Sequence, residues 1–62
     1  MDRNIFLRNK GKVVTIIVKP KLKLTGEILE VFDDCFEFRT KEKDSTLEFE
    51  MVGGIIEVRN DE

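Results

Sequence analysis

The sequence predicts a mainly β fold, with five short strands bent strongly into a small barrel behind a short N-terminal helix. Three observations carry this. Leu22 to Phe38 sets two alternating apolar runs around one glycine, Gly26, and one acidic turn, Asp33-Asp34. That pattern describes a long strand that bends and then folds back into a second, since glycine lets a strand bend sharply or another backbone approach closely. Val13, Val14, Ile16, Ile17 and Val18 are β-branched, as strands favour, and Leu47, Phe49 and Met51 alternate with Glu48 and Glu50.

Taken in order, Asp2 to Asn9 carries an acid at its head, Ile5 and Phe6 on one side, Arg8 and Lys10 near its tail and Gly11 just beyond, so a helix is expected over about residues 2–10. Strand follows from Lys12 to Lys19, and Pro20 ends it because proline has no N–H for a ladder. Lys19-Pro20-Lys21 is a tight turn into the long strand, where Leu22, Leu24 and Ile28 share one face and Lys23, Thr25 and Glu27 the other. Beyond Ile28 the phase is ambiguous, because Leu29, Val31 and Phe32 are all apolar. The strand is expected to cross there from one side of the barrel to the other. Phe36 and Phe38 then alternate with Glu37 and Arg39, and Lys41 to Ser45 forms a polar turn. The fourth strand is expected to run through Leu47, Phe49 and Met51. Gly53-Gly54 breaks it, Ile55 to Val58 forms the last strand, and Asn60-Asp61-Glu62 is a frayed tail. Five antiparallel strands with one long bent member describe an SH3-like barrel over about residues 12–59, within a single domain of residues 1–62.

A chain of 62 residues lies near the lower limit for a core that sustains itself without disulfide, metal or partner subunit. One cysteine forms no internal bridge, so packing or oligomerisation must supply the stability. With no basic segment leading into an apolar stretch and no run long enough for a membrane span, a cytoplasmic protein without membrane contact is expected. Net charge is −2, but residues 1–25 hold seven cations against Asp2 alone, a net of +6, and residues 26–62 hold four against twelve acids, a net of −8. Such asymmetry suits either a polyanion or complementary surfaces on neighbouring copies. Histidine and tyrosine are absent, Cys35 sits among acids and Ser45 is the one serine, so the usual nucleophile and base pairs cannot be assembled and no enzyme is expected. Asp33, Asp34 and Glu37 lack the further oxygen ligands that a cation needs, and neither a metal nor a cofactor is expected.

A short helix, five strands, and a second strand carrying Leu22, Leu24, Gly26, Ile28 and Val31 before the acidic pair Asp33-Asp34 resemble the Sm-like proteins, which include the bacterial Hfq and the archaeal and eukaryotic LSm proteins. Met51-Val52-Gly53, followed by Gly54, Ile55 and Ile56, is similar to the second signature of that family. The resemblance runs from about Asn4 to Arg59. It implies an Sm-like barrel that assembles into a homo-oligomeric ring of six or seven copies, the fourth strand of one subunit pairing with the fifth of the next. It also implies binding of single-stranded, often uridine-rich RNA by the loops that hold Asp33, Asp34, Cys35 and Phe36 and, in the second, Val52, Gly53 and Gly54. Three departures stand out: Val52 replaces the family's arginine, Phe36 its asparagine, and the lysine–histidine pair of Hfq is absent.

Lys19, Lys21 and Lys23 form the densest basic cluster and suit phosphate contact, although lysines also protect exposed strands from aggregation. Phe36 is placed to stack on a base if its loop faces a pore, and its alternation with Phe38 also fits a core position. For a ring, Leu47, Phe49 and Met51 on the fourth strand and Ile55, Ile56 and Val58 on the fifth are the expected subunit contacts. The other functional reading is a protein-interaction or assembly module that binds a partner chain through the barrel edges without specific RNA binding.

Overall fold

Asp2 caps the helix in the computed structural model, which describes residues 2–59; the expected frayed tail lies outside them. The Asp2 carboxylate accepts from the Asn4 N–H at 3.1 Å, and α1 spans Arg3–Arg8. Asn9 closes it by donating from its side-chain amide to the Ile5 carbonyl at 2.8 Å. Gly11, at φ 83°, takes the left-handed conformation that turns the chain into the sheet. A helix of 6 residues does not hold on its own. Its anchor is Phe6, fully buried and stacked on Phe36 and Phe49 with ring centroids 4.4 Å and 4.9 Å away.

Five strands follow: β1 (Val13–Val18), β2 (Leu22–Val31), β3 (Cys35–Arg39), β4 (Asp44–Glu48) and β5 (Val52–Arg59). They form one antiparallel sheet in the order β4-β3-β2-β1-β5. Among the described residues no ladder joins β4 to β5, so the sheet is open and these two strands are its edges. The pairing therefore establishes a five-stranded sheet with a short helix and does not include closure into a barrel.

β2 is the long member, and its two halves serve different partners. Leu22 to Glu27 pair with β1, whereas Glu27, Ile28 and Val31 pair with β3. The handover falls next to Gly26, as the sequence pattern requires. A Cβ on Gly26 would overlap the Arg39 carbonyl oxygen and lie 2.9 Å from its carbon, so only glycine fits. The ambiguous phase beyond Ile28 resolves into a β-bulge: Ile28 faces Phe38 and Val31 faces Phe36, leaving one extra residue on β2.

Two elements differ from expectation. The fourth strand stops at Glu48, and Phe49–Met51 forms a turn of 3-10 helix that carries the Phe49 ring into the core. Gly53-Gly54 does not break a strand but lies inside β5, where Val18 faces Val52 and Ile17 faces Gly54, so that Gly53 is the extra residue of a register shift. Glycine accommodates such a bulge without steric conflict. A second shift leaves Ile56 as the extra residue between Ile55 and Glu57.

The core consists of Phe6, Val14, Ile16, Val18, Ile28, Phe36, Phe38, Phe49 and Val52, with Leu24, Val31, Leu47 and Ile55 packed against it. Phe36 and Phe49 lie nearly parallel at 5.8 Å, and Phe38 meets Phe36 edge-on at 5.9 Å. Four phenylalanines drawn from α1, β3 and the 3-10 turn thus tie the ends of the chain to its middle. No helix among the described residues is long and apolar enough to cross a membrane.

Candidate functional site

The acidic turn between β2 and β3 is closed by the Phe32 N–H, which donates to the Cys35 carbonyl at 2.8 Å. The Phe49 N–H in turn donates to the Asp34 carbonyl at 3.1 Å and draws the end of β4 beside that turn. The result is a shallow cleft of about 320 Å³ lined by Asp33, Asp34, Glu48, Phe49 and Glu50. Four carboxylates and no cation line it. Desolvation, then a hydrogen bond to Asp34 and the charges of Asp34, Glu48 and Asp33, push the Cys35 thiol above its ordinary range. A field of this sign repels a phosphate backbone.

Gly53 and Gly54 do not meet this cleft. Gly53 sits against Ile17 and the aliphatic stem of Lys19, and the Lys19 N–H donates to the Met51 carbonyl at 2.8 Å. Phe36, the expected stacking residue, is instead fully buried in the core against Phe6 and Phe49, so its face is unavailable to a base.

Lys19, Lys21 and Lys23 are all exposed. Lys19 lies beside Gly53, Lys21 is exposed in the turn with its cis Lys19–Pro20 peptide, and Lys23 joins a different group. Lys23, Leu24 and Thr25 from β2, Thr40, Lys41 and Glu42 from the β3–β4 turn and Arg59 from the end of β5 line a groove of about 570 Å³. Lys41 and Arg59 stand far from Lys23 in sequence and were not among the expected contacts; only strand pairing brings them together. On the helix, the Arg3 Nε donates to the Phe32 carbonyl at 2.7 Å, and just beyond it Lys10 pairs with Glu30 at 3.1 Å. Arg39 meets Asp44 through two hydrogen bonds of 2.9 and 3.2 Å, which hold the Asp44 carboxyl below its usual range.

The expected subunit contacts are unevenly exposed. Phe49 is buried in the core, and Leu47 and Ile55 are half-buried against it. Met51, Ile56 and Val58 are open, at 42%, 53% and 42% exposure, beside or on the free edge strand β5. Comparison with protein-family models, with curated proteins and with solved structures finds no match.

Proposed function

We propose that this protein is a small assembly module of Sm-like build, in which copies join edge to edge, β4 of one against β5 of the next, around a homo-oligomer closed on itself. The observation that carries the reading is the open sheet: among the described residues neither β4 nor β5 has a partner strand on its outer side, and Met51, Ile56 and Val58 add exposed apolar surface at the β5 side. An edge of this kind recruits another strand unless charge or a covering element blocks it. In a chain this small, burial at a subunit interface also supplies core that the monomer lacks. The double variant Ile56→Lys with Val58→Lys tests the reading, because it charges the edge without touching the buried core. It is expected to reduce the native mass, whereas an unchanged oligomer would place the contact elsewhere.

A second reading, single-stranded RNA binding by the assembled ring, is favoured by the net charge of +6 that residues 1–25 carry. The acidic lining of the Asp33-Asp34 cleft argues that strand contact would avoid this part of the surface. Titration with short oligouridine at two salt concentrations tests it: binding at low salt that weakens steeply with added salt supports it.

A further inference from the structure

We infer that the groove between Lys23, Lys41 and Arg59 is a phosphate-backbone site for a single-stranded nucleic acid. The inference rests on the RNA-binding reading and assigns it a surface that the sequence pattern does not indicate. Three cations come from three separate elements, β2, the β3–β4 turn and the end of β5, and converge on one concavity. No ion pair holds any of them among the described residues, in contrast to Lys10 and Arg39, whose charges are taken by Glu30 and Asp44. Thr25 and Thr40 add hydroxyls to the lining. The Thr25 hydroxyl also shares a hydrogen bond with Thr15 at 2.8 Å, and Thr40 Oγ1 donates to the Lys43 carbonyl at 3.1 Å and receives the Glu42 N–H at 3.3 Å. Those contacts fix the two side chains on the wall of the groove. Glu42 is the one acid in the lining, so the groove carries a net +2.

The groove also continues. A second concavity shares Thr25, Thr40, Lys41 and Arg59 with it and extends over Gly26 to Arg39 and Glu27. An elongated concavity that holds Lys23, Lys41 and Arg59, with Arg39 engaged by Asp44 and Glu27 at its far end, suits a chain of phosphates better than a single small anion. No aromatic residue lines either stretch, so the site offers charge and hydrogen bonds but no stacking platform. It follows that binding depends on the backbone and is indifferent to the base.

The test is fluorescence anisotropy of labelled oligouridine and oligothymidine with the intact protein, its native mass recorded alongside. The triple variant Lys23→Gln, Lys41→Gln, Arg59→Gln is compared with Lys19→Gln, Lys21→Gln. Removing three phosphate contacts from a single strand is expected to flatten the slope of log affinity against log salt by about 2 and to weaken low-salt binding by roughly tenfold or more. The Lys19 and Lys21 variant should retain most of the affinity, and the two oligomers should bind alike. Wild-type binding that survives the triple variant, or that collapses with Lys19 and Lys21 instead, would overturn the assignment while leaving RNA binding intact. Absence of any wild-type binding at low salt would overturn both. Competition by tripolyphosphate as strong as by an oligonucleotide of equal phosphate content would contradict a strand-tracking site.

Discussion

Gly26 and Arg39 approach so closely that the position has no room for a side chain: a Cβ on Gly26 would overlap the Arg39 carbonyl oxygen and lie 3.0 Å from the Phe38 ring. The obstacle is backbone on a central pair of strands, which cannot swing aside as a flexible side chain would. Gly26→Ala is therefore expected to destabilise the fold by about 2 kcal/mol or more, through forced displacement of β3 from β2. Thermal or urea unfolding checks this, and wild-type stability would mean that the two strands separate at no cost.

The phenylalanine stack joins α1, β3 and the 3-10 turn, so truncating one member removes contacts from all three. Phe49→Ala is expected to cost about 3–5 kcal/mol, enough to unfold much of a domain this small. Phe32→Ala, at an exposed position, should change stability by no more than about 0.5 kcal/mol. Comparable losses for both variants would contradict the burial pattern.

Much of this architecture is legible in the residues. Gly26, the alternation around it and the β-branched run of β1 carry local signals of period two, and Asp2, Asn9 and Gly11 mark the helix ends by their own backbone chemistry. The end of the fourth strand is not legible, because Leu47, Phe49 and Met51 keep strand alternation while the chain turns as 3-10 helix; the Phe49 N–H bond to the Asp34 carbonyl that favours the turn joins residues fifteen apart. The candidate sites are less legible still. Of Lys19, Lys21 and Lys23 only Lys23 lines the groove, and its partners there come from afar in sequence: Lys41 through the pairing of β2 with β3, and Arg59 through the pairing of β1 with both β2 and β5.

Cys35 reports on the acidic cleft. Its raised pKa leaves less thiolate at any given pH than a free cysteine has, so reaction with a disulfide reagent should begin at higher pH. Asp34→Asn removes both a hydrogen bond and a charge that oppose ionisation and should move the onset of reaction back toward lower pH. A wild-type profile matching that of free cysteine would contradict the close placement of these carboxylates.

The Arg39–Asp44 pair gives stability a pH dependence of known sign. The carboxyl of Asp44 titrates lower in the folded chain than in the unfolded one, so its contribution is complete above the unfolded value and disappears as pH falls through the folded value. Both side chains are more than half exposed, which keeps the effect small and sensitive to salt. Asp44→Asn should flatten the acid limb of the stability profile slightly, measured as urea midpoints between pH 2 and 5. A steeper limb in the variant would contradict the assignment.

Whether copies join edge to edge is decided by native mass from light scattering after size exclusion, at moderate salt and after nuclease treatment. A discrete species at several times the 7.2 kDa of one chain is expected, six or seven copies if the ring follows the Sm-like pattern. A single species at 7.2 kDa across a wide range of protein concentration would contradict it.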